Sequence, residues 1–228
     1  SIITIEDPIE YSLEGIDQIQ ANTRTGLTFA TGLRSILRQD PNIIMVGEIR
    51  DEETARIAVN AALTGHLLLS TLHTNDAPTT LPRLLDMQIE PFLIASTVNI
   101  AIGQRLVRKI CENCKVNKAI STDELKTLSE SVSTEILSKY EKITKSKNFS
   151  KGSGCEKCND TGYQGRIGIY EVLEVDDDIR KAVIRKADAG EIRDIAIKNG
   201  MTTMIGDGFK KASEGITTIE EILRVIHE

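Results

Sequence analysis

The run Ile43-Ile-Met-Val-Gly47 has no polar position. A strand without a polar face must be covered on both sides, and that requirement selects a parallel sheet flanked by helices. The surrounding sequence agrees. Ile2-Ile-Thr-Ile5 is a β-branched run, Ile16-Asp-Gln-Ile-Gln20 alternates like a half-exposed strand, and Leu67-Leu-Leu-Ser-Thr-Leu72 predicts another buried one. Helical segments separate them. Thr28 is an N-cap candidate for a helix over 29–38, stopped by Asp40-Pro41. Asp51, Glu52 and Glu53 place acids on the positive end of a second helix. Ile57, Ala58, Ala61 and Ala62 give that helix a narrow packing stripe, and Gly65 suits its C′ position. Helical patterns follow over 77–87 and 91–101. Strands alternating with helices predict an α/β domain with a mostly parallel sheet.

After Gln104 the composition changes. Cys111-Glu-Asn-Cys114 and Cys155-Glu-Lys-Cys158 are two Cys-x-x-Cys knuckles with 40 residues between the inner cysteines. Such knuckles point first to a closed, tetrahedral Zn²⁺ site made by Cys111, Cys114, Cys155 and Cys158. Disulfide or redox chemistry, an iron–sulfur centre and unbound thiols are the alternatives. The intervening segment carries eight Lys against five acids from Lys115 to Lys151. It reads as a solvated insertion, helical over 122–143, with a membrane-surface patch as the second reading. A β-run at Ile167-Gly-Ile-Tyr-Glu-Val172 then leads into a helical C-terminal third.

The chain has 228 residues and a net charge of −6, which argues against nucleic acid as the main partner. The longest stretch free of formal charge, Ile57 to Asn75, holds too many polar residues for a membrane span of about 20 apolar ones. A β-run directly behind Ser1 reads as a fragment whose start cuts through a fold.

In an open α/β sheet, ligands sit beyond the carboxyl ends of the strands. Glu6, Asp7 and Glu10 follow the first strand, Glu48 follows Ile43–Gly47, and His73 follows the strand from Leu67. Their convergence is the functional signal, because each alone would pass for a solvated strand-end residue. His66 and His73 do not share a metal, since seven strand steps separate them by about 23 Å. His227 carries no signal.

Here the residues carry a resemblance. Ile3-Thr-Ile-Glu-Asp-Pro-Ile-Glu-Tyr11 resembles the aspartate box of the secretion ATPases, the hexameric motors of type II secretion and type IV pilus assembly. Asp40-Pro-Asn-Ile-Ile-Met-Val-Gly-Glu-Ile-Arg-Asp51 resembles their Walker B segment, and Thr64-Gly-His-Leu-Leu-Leu-Ser-Thr-Leu-His-Thr-Asn-Asp76 their histidine box. The cysteine knuckles, Gly162-Tyr-Gln-Gly-Arg-Ile-Gly-Ile-Tyr-Glu171 and Gly215-Ile-Thr-Thr-Ile-Glu-Glu-Ile-Leu-Arg224 resemble the assembly-type members rather than the retraction-type motors. The resemblance implies a partial RecA-like P-loop NTPase core with helices on both faces of its sheet over 1–104. A four-cysteine zinc subdomain over 105–170 and a C-terminal helical subdomain over 171–228 would follow.

The same resemblance implies roles. Glu10 would be the base that orients and activates the attacking water. Glu48 would act through Mg²⁺ and its waters, with Glu6 and Asp7 at the same nucleotide site. His73 would approach the γ-phosphate, with His66 close to that site or supporting it. Arg34, Arg38 and Arg50 would couple neighbouring subunits, where a fixed cation on developing phosphate charge is worth about 10³–10⁵ in rate. ATP, Mg²⁺ and structural Zn²⁺ are the implied cofactors. A homo-hexamer on the cytoplasmic face of the inner membrane, acting on a membrane platform protein, is the implied assembly. One element is missing: none of the 16 glycines is followed by Lys, so the chain has no Gly-x-x-x-x-Gly-Lys-Ser/Thr phosphate cradle. The expectation is that this loop lies upstream, and that the chain alone binds ATP poorly. A non-hydrolysing interaction module with a zinc docking surface is the alternative.

Overall fold

The structure, a computed structural model, describes residues 1–118 and 149–227. The expected helix over 122–143 lies outside those residues. The chain forms two compact units: Ser1–Ala101 with Leu173–Asn199, and Ile102–Val172 with Gly200–Glu228. The expected C-terminal helical subdomain of 171–228 is therefore shared between both units.

The first unit is built on four parallel strands in the order β2-β1-β3-β4, namely β1 (Ile2–Glu6), β2 (Asp17–Gln20), β3 (Ile43–Val46) and β4 (Leu67–Ser70). The register aligns Ile5 of β1 with Val46 of β3, and Val46 with Ser70 of β4, so their carboxyl ends coincide. Helix α1 (Phe29–Ile36) starts at Thr28, whose hydroxyl accepts the Thr31 N–H in a capping box. It lies close on the sheet: a methyl added at Gly32 would meet the Ile5 side chain at 2.0 Å. Helix α2 (Glu52–Leu63) is capped by Asp51, and Gly65 follows its end with φ +98°. The two helices pack side by side, over the face where Ile3, Ile5, Ile44 and Val46 are buried.

The other face departs from expectation. Strand β4 is an edge strand, and Leu67 and Leu69 are each 54% exposed. The apolar run predicted a strand buried on both faces. Its composition is of that kind, but among the described residues the packed helical layer covers only one face. Behind α2 a second helical group completes the unit: α3 (Thr80–Asp86), α4 (Pro91–Thr97), α5 (Asp177–Ile184) and α6 (Ala189–Lys198).

The second unit contains most of a two-stranded ribbon, β5 (Ile100–Ile110) with β8 (Tyr163–Glu174), and an antiparallel pair, β6 (Lys115–Lys118) with β7 (Phe149–Gly152). Helices α7 (Met204–Ser213) and α8 (Ile219–His227) bury Phe209, Ala212 and Ile222 against Phe149. A deeply buried carboxylate ties α8 to β5. Glu221 accepts from the Arg108 backbone N–H (3.1 Å), Nε (2.9 Å) and Nη2 (2.6 Å), and from Arg224. Arg108 also stacks on the Tyr163 ring, 4.3 Å from its centroid. No helix of the described residues is long and apolar enough to cross a membrane.

Candidate functional site

The carboxyl ends of β1, β3 and β4 form one edge of the parallel sheet, and three sequence boxes end there. Beyond β3 the chain is laced to the segment beyond β4. The Thr71 hydroxyl donates to Gly47 O (2.6 Å), and the Ile49 N–H to Thr71 O (3.0 Å). These bonds bring His73 onto Glu48: the imidazole Nε2 lies 2.7 Å from Glu48 Oε2, which also accepts from Arg50 Nε at 2.5 Å. Glu48 is buried, whereas His73 is exposed. Burial pushes the Glu48 carboxyl up, but the hydrogen bonds and charges of His73 and Arg50 outweigh it and hold it below its ordinary value. The group is therefore an anion at neutral pH, fixed by two neighbours and able to hold a cation's water.

The residues beyond β1 are arranged differently. Glu6 Oε1 accepts from the Thr4 hydroxyl (2.5 Å) and from Gln18 Nε2 (2.9 Å), so Glu6 is part of the loop's own bonding. Asp7 and Glu10 are exposed in the loop between β1 and β2. That loop leaves the carboxyl end of β1, the strand beside β3 in the sheet.

Other expected residues are placed elsewhere. His66 precedes β4, at the opposite end from His73. Its Nδ1 lies 3.1 Å from Ala61 O and 3.2 Å from the Thr64 hydroxyl, on the end of α2. The structure does not bring it to Glu48. Arg34 pairs with Glu53 of its own chain at 2.7 Å, Arg50 pairs with Glu48, and Arg38 is exposed in the turn that follows α1. Two contributors were missed in the sequence. Gln18 looked like one polar position of an alternating strand. Arg193 of α6 pairs with Asp76, whose other oxygen accepts the Thr79 N–H (2.9 Å) and hydroxyl (2.5 Å), closing the loop that carries His73. Only the acid pattern of the histidine box hinted at Asp76; its partner is 117 residues away and no local pattern points to it.

The four cysteines come together in the second unit. Their sulfurs all lie within 4.8 Å of one another, with Cys111–Cys155 and Cys114–Cys158 at 3.8 Å and Cys155–Cys158 at 3.7 Å. A tetrahedral ion about 2.3 Å from each sulfur would set edges of about 3.8 Å, whereas a disulfide needs about 2.05 Å. The donor set thus fits a closed thiolate site. Burial raises the Cys114 thiol to about 11. Burial also pushes Cys158 up, but the N–H groups of Gly162 and Cys155 outweigh it and bring that thiol down to about 7. Four thiols this close cannot all ionise unless a cation lies among them. Glycine makes the cluster possible: a methyl at Gly152 would lie 2.0 Å from Gly162 O, and Gly162 has φ +77°.

The chain is similar in sequence and in fold to known proteins. The chain is 51% identical over 220 residues to the type IV pilus assembly ATPase PilB of Thermus thermophilus, covering 96% of this chain and 24% of that protein. It is 50% identical over 227 residues to the type II secretion system protein E of Xanthomonas campestris, covering 100% of this chain and 38% of that protein. It thus spans well under half the length of these curated relatives. Among solved structures, the pilus retraction motor PilT with bound ADP matches with a TM-score of 0.65 and 28% identity, over 98% of this chain and 51% of that one. Residues 1–224 match the type II/IV secretion system protein family, and with an α/β sheet that ends in its acidic and histidine boxes, the chain belongs to that family.

Proposed function

We propose that the protein containing this chain is an ATPase that works as a homo-hexamer on the cytoplasmic face of the inner membrane. ATP hydrolysis there would act on a membrane platform protein, driving assembly of pilin-like subunits in type II secretion or type IV pilus biogenesis. The observation that carries this reading is the fixed Glu48 anion, held by His73 and Arg50 beyond the carboxyl end of β3, beside the strand whose carboxyl end leads through Glu6 into the Glu10 loop. Relatives named as ATPases support it. Mg²⁺, when bound, would neutralise phosphate charge, and Glu48 is the group that would hold its water. Glu10, exposed in the loop that follows β1, takes the proton of the attacking water. His73 donates from the Glu48 side of the site toward the terminal phosphate.

Arg34, Arg38 and Arg50 would reach a neighbouring subunit. For Arg34 and Arg50 this requires exchange of their present partners, Glu53 and Glu48. The phosphate cradle would come from the remainder of the protein. Cys111, Cys114, Cys155 and Cys158 would hold a structural Zn²⁺, which supplies folding energy to a Gly-rich unit and leaves no open position for catalysis. The zinc-containing interaction module that does not hydrolyse ATP is the competing reading. It gives no reason for Glu10 and Glu48 both to be present. The test is Glu10→Gln in the complete protein. Turnover should fall by about 100-fold or more while ATP still binds; turnover at the wild-type rate would remove Glu10 from water activation.

A further inference from the structure

Gln18 does more than fill a polar position on β2. Its Nε2 donates to Glu6 Oε1 at 2.9 Å and to Tyr11 O at 3.0 Å, while its Oε1 accepts the Leu13 N–H at 2.7 Å. One primary amide therefore ties the start, the middle and the return of the loop between β1 and β2. Parallel pairing sets Gln18 opposite Thr4, whose hydroxyl donates to the same Glu6 oxygen. The loop has little else to order it: Tyr11 is 79% and Leu13 51% exposed. A loop with so few buried groups would open readily if it were left to itself. Glu10 lies within the clamped segment, one residue from the held Tyr11 carbonyl.

We propose that Gln18 is a positioning residue: it fixes the loop that carries Glu10, and so the place of the Glu10 carboxylate, without touching the nucleotide. The proposal rests on Glu10 acting as the base in water activation. The amide is chemically selected for the task. A glutamate would accept the Leu13 N–H but lose both donors and repel Glu6. A lysine would supply donors and leave the Leu13 N–H unmet. An asparagine would fall one methylene short.

Two measurements test it. In the complete protein, hydrogen exchange reads the clamp directly, because the Leu13 amide belongs to an exposed residue and its bond goes to Gln18. Gln18→Ala should speed exchange at Leu13 by about tenfold while the Ile44 amide in β3 is unchanged. Unchanged exchange at Leu13 would overturn the clamp. In the complete protein, Gln18→Glu should lower kcat by about 10- to 100-fold near pH 8, with KM for ATP within about threefold. The deficit should shrink toward about pH 6, because two carboxylates in contact share a proton and the protonated one regains a donor. Glu6 is the titratable group that Gln18 touches. A merely structural defect would lower the melting temperature without this pH-dependent recovery. Glu10→Gln, run in parallel, separates the two claims. If it abolishes turnover while both Gln18 variants keep the wild-type kcat, the positioning role is wrong and the water-activation reading stands. If Glu10→Gln keeps full turnover, the water-activation reading fails with its consequence for Gln18, and Leu13 exchange still decides the clamp.

Discussion

Single carboxylates do opposite work in the two units, and their surroundings decide which. Glu48 is buried but only two residues beyond a strand end, where His73 and Arg50 keep it anionic and reachable. Glu221 is sealed, with 1% of its side chain exposed, between Arg108 and Arg224. Burial pushes its carboxyl up, but the bonds from Arg224 and Arg108 dominate and bring it down from 4.5 to about 2. A carboxylate whose folded value is depressed stabilises the fold fully above its unfolded value, and that contribution is lost as pH falls from about 4.5 toward 2. With both arginines partly exposed, its worth at neutral pH is roughly 2 to 3 kcal/mol. Glu221→Gln should therefore lower the melting temperature at pH 7 and narrow its gap to wild type below about pH 4. A gap that stays constant with pH would deny the clasp its charge. At the Glu48 site, Glu48→Gln in the complete protein should leave ATP bound and cut turnover by about 100-fold or more. Binding and turnover assays on one preparation separate those two effects.

The elements show how a correct composition can mislead about burial. The chain alone reveals the strand–helix alternation, the Thr28 and Asp51 caps and the Gly65 stop, because each is a local rule. Burial is not local. Leu67 to Leu69 has the makeup of a core strand, yet β4 is an edge and its outer face is half-exposed. Substitutions on the two faces should then differ sharply in effect. Ile44→Ala, on the packed face of β3, should cost about 2–5 kcal/mol. Leu69→Lys, on the open face of β4, should change the stability of this chain by less than about 0.5 kcal/mol. Denaturant titration of both variants checks the pair, and equal losses would mean that the outer face is packed. The candidate site was legible to the same extent. Strand-end acids and His73 follow from topology, whereas Gln18 and Arg193 act through partners that a one-dimensional pattern cannot supply. His66 lies in the same box as His73 but at the other end of β4, on the end of α2.

The whole molecule joins a parallel α/β unit to a smaller unit organised around four thiols. If the cysteines hold an ion, stability of the second unit is coupled to it and that of the first is not. One zinc per chain should be found by elemental analysis, and Cys155→Ser should release it. A strong chelator should then bring down the melting of Ile102–Val172 with Gly200–Glu228, leaving exchange in the β1–β4 sheet unchanged. A metal-free protein of equal stability would contradict the thiolate-site reading. The position of Glu48, His73 and the Glu10 loop at one sheet edge makes hydrolysis the central claim. The most direct measurement is Mg²⁺-dependent ATP turnover by the complete wild-type protein, assayed beside ATP binding. The account predicts turnover that disappears in Glu10→Gln while binding persists. A wild-type protein that binds ATP without hydrolysing it would contradict the account and give first place to the interaction module.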